Sequence, residues 1–204
     1  MKKVFLMAAM MVATVAASAQ VYIGGGINFG THKDSYVDVN GAKAPDAETS
    51  FGISPEVGYK LNDKWAVGIA LGYDHSKQGD DKNNKFSIMP YARYTFVKWN
   101  RVGLFADAQF KFYSKKYTTK DITGYNETTG EPIYGDVDDK TTGWNIGIRP
   151  GVSVDLTEKL TFITKVGWLG YGSEKPDAPN MKASSDFGLN VDLTNVQFSL
   201  LFNL

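Results

Sequence analysis

The sequence predicts an all-β fold: an eight-stranded antiparallel up-and-down transmembrane β-barrel, preceded by a cleavable signal peptide. Three observations carry that prediction. Apolar residues fall on every second position through about eight segments, the period of strands whose two faces meet different surroundings. Tight turns alternate with long polar connections along the chain. Cys is absent while Gly numbers 21 and aromatic residues make up 13%, which suits closely approaching strands that hold without disulfides.

The first residues read as an export signal. Lys2 and Lys3 give a positive start, 4–15 is almost unbroken apolar sequence, and Ala17-Ser18-Ala19 is a small-residue cleavage site. Cleavage is expected between Ala19 and Gln20, leaving 1–19 as signal peptide and 20–204 as one barrel domain, with no Pro/Ser-rich linker to divide it. The apolar stretch falls short of the ~20 residues a spanning helix needs.

The strands follow in order. The first, about 21–31, places Val21, Ile23, Ile27 and Phe29 on one face. The second, about 50–61, sets Phe51, Ile53, Pro55, Val57, Tyr59 and Leu61 against Gly52, Ser54, Glu56, Gly58 and Lys60. Asn62-Asp63-Lys64 then turns tightly, since Asn and Asp accept turn geometry readily. In the third, 65–74, Trp65, Val67, Ile69, Leu71 and Tyr73 oppose Ala66, Gly68, Ala70, Gly72 and Asp74. The fourth, about 85–97, and the fifth, from Val102 to Phe112, flank a turn at 98–101 and put Arg93, Asp107 and Lys111 on the polar face, with Phe105 an exception there. The sixth, about 143–156, opposes Trp144, Ile146, Ile148, Val152 and Val154 to Asn145, Gly147, Arg149, Gly151 and Asp155.

A third tight turn, 157–159, leads to the seventh strand, about 160–171, where the alternation is broken: Thr164 and Gly170 fall on the apolar side and Ile163 and Leu169 opposite. The last stretch alternates twice, with Phe187, Leu189, Val191 and Leu193 on odd positions and Val196, Phe198, Leu200, Phe202 and Leu204 on even ones. One extra residue near Thr194-Asn195, a β-bulge, reconciles the two; alternatively the final strand begins only at about Asn195 and the earlier piece is an extension above the membrane. The long connections fall at about 32–49, 76–84, 114–142 and 173–185. Short turns on one side and long loops on the other predict that both termini lie in the periplasm and the long loops outside.

Face chemistry selects a membrane barrel over a soluble lipocalin-like one, which would bury the apolar set and expose the charges. Aromatics lie toward strand ends on the apolar face (Trp65, Tyr73, Tyr94, Phe96, Trp144), as interfacial girdles require. The opposite face mixes glycines with nearly balanced charges: Glu56, Asp74, Asp107 and Asp155 against Lys60, Arg93, Lys111, Arg149 and Lys165. In a narrow lumen these charges are expected to pair as a structural network, because an unpaired buried charge is costly. Balanced totals of 22 basic and 22 acidic residues leave no footprint for nucleic acid.

The order of these segments resembles the small outer-membrane β-barrel proteins of the OmpX/OmpA-like kind. The resemblance rests on Ala17-Ser18-Ala19-Gln20, on Val21-Tyr22-Ile23-Gly24-Gly25-Gly26, on the run 143–151 around Trp144 and Arg149, and on the alternating C-terminus 196–204. It implies an outer-membrane location, contact with lipid and lipopolysaccharide, and recognition of the last strand by the insertion machinery. That family's last strand commonly ends on an aromatic residue; here Phe202 precedes a terminal Leu204.

Candidate chemistry is thin. His32 and Asp74-His75-Ser76 sit where a lipid A-modifying enzyme of the rim would place a relay, but Asp74 and His75 point to opposite faces of a strand. The acids at 80–81 and 136–139 lack the spacing of a calcium loop, and Gly24-Gly25-Gly26 precedes no helix that could bind phosphate. No catalytic residue, metal ligand or cofactor is therefore assigned. The expected protein is a non-enzymatic monomer acting structurally or through its loops, above all the long 114–142 connection.

Overall fold

The computed structural model describes residues 20–33, 46–126, 128–190 and 196–204. Ala19 and the bulge expected at Thr194-Asn195 lie outside them. The described chain forms ten strand segments: β1 (Val21–His32), β2 (Glu48–Lys60), β3 (Trp65–Gln78), β4 (Asp81–Trp99), β5 (Val102–Tyr125), β6 (Pro132–Asp155), β7 (Leu160–Lys165), β8 (Trp168–Pro176), β9 (Ser184–Asn190) and β10 (Gln197–Asn203).

Every pairing is antiparallel and the sheet closes on itself, with β1 beside β10, β10 beside β7, and β5 beside β6. Segments β7 and β8 both pair with β6, so they are two halves of one strand. Likewise β9 runs along β8 and β10 along β7. The wall is thus an eight-stranded up-and-down barrel. A diameter of this size leaves an interior that side chains can fill.

Outward positions carry the apolar set. Trp65, Val67, Ile69, Leu71 and Tyr73 on β3 are all exposed, as are Phe86 and Ile88 on β4 and Phe198, Leu200 and Phe202 on β10. A water-facing surface of that character is ruled out by its hydration cost, whereas lipid accommodates it, so the lipocalin-like arrangement does not apply. Aromatic rings close both ends of the apolar band. Trp65 and Tyr94 stack at 4.6 Å near the tight turns, and Phe110, Trp144 and Tyr171 form a chain at 5.9 and 5.7 Å toward the opposite end.

Two expectations need correction. The 76–84 and 114–142 connections are mostly strand: β3 passes to β4 through residues 79–80 alone, and β5 and β6 continue as a two-stranded arm joined by 126–131. Outside the lipid both faces of such an arm meet water, so its sequence loses the alternation that marks a strand. The seventh strand's mixed pattern also has a structural origin. Between the pairs Gly151↔Lys165 and Ile148↔Leu169, β6 contributes two residues and its partner three, and Gly167 occupies φ 68° there. This bulge turns Ile163 inward before it and Leu169 outward after it.

Candidate functional site

Inward-facing residues alternate with the lipid-facing ones along every strand, so the lumen is lined by the small and polar set. Glycines make room for rings. A Cβ added at Gly58 would overlap the Tyr22 ring, one at Gly68 would crowd Tyr91, and one at Gly151 would overlap Phe105. Three aromatic side chains thereby reach the barrel axis at mid-height.

Around them four charged groups meet. Arg93 and Asp107 are cross-strand neighbours, and the guanidinium grips the carboxylate with two hydrogen bonds, Nε to Oδ1 at 2.7 Å and Nη2 to Oδ2 at 2.9 Å. Lys165 Nζ reaches Asp107 Oδ2 at 3.0 Å and Glu56 Oε2 at 4.0 Å. The Tyr91 hydroxyl donates to Glu56 Oε2 at 2.8 Å and shares a 2.9 Å hydrogen bond with the Tyr22 hydroxyl. Arg93 also lies over the Phe105 ring, 4.3 Å from its centroid. Phe105 and Asp107 are 0% exposed, Tyr22 1% and Lys165 2%. Charge is balanced and each ion has a partner, the condition under which buried ions are tolerated.

This layer divides the lumen in two. On the tight-turn side lies a cavity of about 290 Å³ whose lining includes Tyr22, Lys60, Arg93 and Asp155. On the arm side lies a cavity of about 640 Å³ whose lining includes Asp74, Gln109, Lys111 and Arg149. The nine charged residues singled out in the sequence therefore fall into three groups. Glu56, Arg93, Asp107 and Lys165 form the central cluster. Asp155 sits at the tight-turn mouth, 3.5 Å from Lys98 and accepting a 2.8 Å hydrogen bond from Thr161, with Lys60 on the same cavity.

Asp74, Lys111 and Arg149 stay apart from that layer. Among the described residues none of the three has an ion-pair partner within 4.0 Å, contrary to the expectation that all lumen charges pair. Arg149 instead donates to the Gly167 carbonyl at 3.1 Å and to Gln197 Oε1 at 3.0 Å, bracing the bulge of β7–β8 against β10. Tyr22 and Tyr91 escaped the sequence reading because phenols look like ordinary strand residues. Phe105 had signalled itself as a large apolar side chain on the polar face of the fifth strand.

At the rim of the arm side, Lys115 Nζ binds Glu174 Oε2 at 2.8 Å and the Tyr113 hydroxyl donates to the same oxygen at 3.1 Å. The hydrogen bond from Lys115 holds the Glu174 carboxyl below the usual carboxylate range. Farther out, Lys116 binds Asp138 at 2.8 Å and lowers its carboxyl in the same way, while Thr119 donates to Asp81 and lowers that one.

The relay geometry of an enzyme is not assembled at His75. His75 Nδ1 pairs with Asn84 Oδ1 at 2.8 Å, an amide that also accepts from Tyr73, and Asp74 points to the lumen beside Gly52. His32 lies opposite Glu48 at the end of β1. Among the described residues no cluster of three His, Cys, Asp or Glu side chains is placed to hold a metal ion.

Comparison with known proteins places this architecture. No curated protein sequence matches the chain. Among solved structures it is similar to Neisserial surface protein A, at 14% identity over 92% of this chain and 98% of that one, with a TM-score of 0.48. It is also similar to the outer membrane protein OprG from Pseudomonas aeruginosa, at 13% identity over 90% of this chain and 95% of that one, TM-score 0.48. A third is outer membrane protein W of E. coli, at 10% identity over 91% of this chain and 97% of that one, TM-score 0.43. The family model described as outer membrane protein beta-barrel domain matches residues 4–197, and with a closed eight-stranded wall whose apolar face points outward, the chain belongs to that outer-membrane family.

Proposed function

We propose that this protein is a non-enzymatic, closed outer-membrane barrel that works through its surface arm rather than by general diffusion through its lumen. The observation that carries the reading is the central layer of Tyr22, Glu56, Tyr91, Arg93, Phe105, Asp107 and Lys165. It spans the lumen with side chains that are almost wholly buried and mutually bonded. Moving a hydrated ion past it requires breaking ion pairs in a confined, low-dielectric space, a step that costs several kcal/mol.

The tight-turn end, which carries both described chain ends, faces the periplasm in this reading, and the β5–β6 arm projects outside. The arm exposes Tyr117, Ile122, Tyr125, Ile133 and Tyr134 on a ladder of backbone hydrogen bonds. Rigid aromatic side chains on a preordered hairpin bind partners at low entropic cost. Lipid and lipopolysaccharide surround the apolar band, β10 presents the alternating C-terminal signal to the insertion machinery, and the barrel acts as a monomer.

Single-channel recording on the refolded mature protein tests the closed lumen. Silence or brief, small events are expected; large, stable conductance steps would overturn the reading.

A further inference from the structure

The lumen's charges are not evenly compensated. In the central layer two cations meet two carboxylates, and at the rim Lys115 has Glu174. The arm-side cavity differs: its lining carries two cations, Lys111 and Arg149, and one carboxylate, Asp74. Asp74 and Lys85 are cross-strand neighbours on β3 and β4, yet they make no ion pair within 4.0 Å. Lys85, Lys111 and Arg149 stand on three successive wall strands, β4, β5 and β6, among the inward-facing positions. Like charges held together in a half-enclosed space favour an anion between them.

The same cavity has the opposite deficit in its neutral groups. Gln109 lines it at 6% exposure, and its Oε1 has no hydrogen-bond partner. Beyond the lining, Asn145, cross-strand neighbour of Lys111, also has an unpartnered, buried Oδ1. Among the described residues, an unpartnered buried acceptor beside two cations and a single carboxylate describes a ligand that accepts at one end and donates at the other. Buried acceptors of this kind are uncommon unless something supplies the missing donor.

We propose that the arm-side cavity is a binding site for a hydroxylated oxyanion, a small sugar phosphate or sugar acid. Its charged group lies between Lys111 and Arg149, and its hydroxyls donate to Gln109 and Asp74. The cavity volume of about 640 Å³ accommodates a ligand of one hexose and its charged group. The site stands independently of whether the central layer blocks conduction.

Calorimetric titration of the refolded mature protein in a zwitterionic detergent at low ionic strength tests it. Saturable binding of glucose 6-phosphate or of glucuronate is expected, and whichever binds more tightly distinguishes a phosphate ligand from a carboxylate one. Neutral glucose is expected not to bind, and inorganic phosphate to bind about tenfold more weakly than glucose 6-phosphate, lacking hydroxyls for the acceptors. Lys111→Met and Arg149→Gln should each weaken binding about tenfold or more, while Lys115→Met, which removes an already paired rim charge, should change it less than about twofold. Gln109→Leu leaves every charge in place and should still weaken binding, which covers the case of charge variants that fail to refold. No saturable binding of either acid, or equal loss in Lys115→Met, would overturn the proposal.

Discussion

At Asp107 one carboxylate, wholly buried, satisfies two cations from two other strands. Replacing it with Asn leaves Arg93 and Lys165 without their shared anion, and a broken buried pair of this kind costs ~3–5 kcal/mol. Urea unfolding of Asp107→Asn in detergent should show that loss as a lowered midpoint, whereas Lys115→Met at the rim should show little. Gly151 makes the complementary case from the side of volume. Its missing side chain is the space into which the Phe105 ring inserts, so Gly151→Val should destabilise the barrel by ~1–3 kcal/mol through overpacking, measured in the same unfolding assay. The residue types of the central cluster were visible in the sequence, because a charge on a face that alternates with lipid has nowhere else to go. Which charges meet was not visible: strands separated in sequence approach across the lumen, and only the shear of the closed barrel decides which levels face each other.

Among the elements, the barrel-spanning parts of the strands were legible from period two, and the ends of the strands were not. The segment 114–125 reads as loop because it is polar on both faces, yet it continues β5 without a break. Its stability rests on backbone pairing with β6 and on rim ion pairs such as Lys116–Asp138 and Lys115–Glu174. Both carboxyls are held below their ordinary pKa, so these contributions are present above the ordinary carboxylate range and are lost as pH falls through the lower folded values. Protection factors of the amides in 114–125 and 132–143, with the intrinsic exchange rate at each pH divided out, should therefore fall on acidification to about pH 3 while those of the lipid-spanning amides hold. Because the arm adds nothing to wall closure, joining residue 114 to 142 by a short turn should leave heat-modifiable migration intact and abolish any surface-binding activity. Gly167 marks the other illegible element. A single residue at φ 68° inverts the face of everything beyond it, and Gly167→Ala should cost ~1–2 kcal/mol in the unfolding midpoint.

For the whole molecule, an apolar exterior and a polar, glycine-rich interior invert the usual arrangement of a soluble barrel, and this inversion was readable before any coordinates, from girdle aromatics and balanced lumen charge. The central layer ties five strands to one another through side chains, since Tyr22, Glu56, Tyr91, Asp107 and Lys165 come from β1, β2, β4, β5 and β7. A wall of hydrogen-bonded strands resists bending across the strands poorly, and an axial cross-brace supplies what the ladder lacks.

The seam between the first and last strands gives that brace a further consequence, one that lies in time. Among the described residues the ladder of β1 and β10 runs from Tyr22↔Asn203 to Gly25↔Leu200. It joins the two ends of the chain, so it is the contact with the greatest loop-closure cost and the last to become favourable as the polypeptide assembles. Lys165 of β7 neighbours Gln197 of β10, and Tyr22 of β1 bonds to Tyr91, so the lumen cluster grasps both sides of the seam. The buried ions thus act as a latch across the last contact of the cylinder to close.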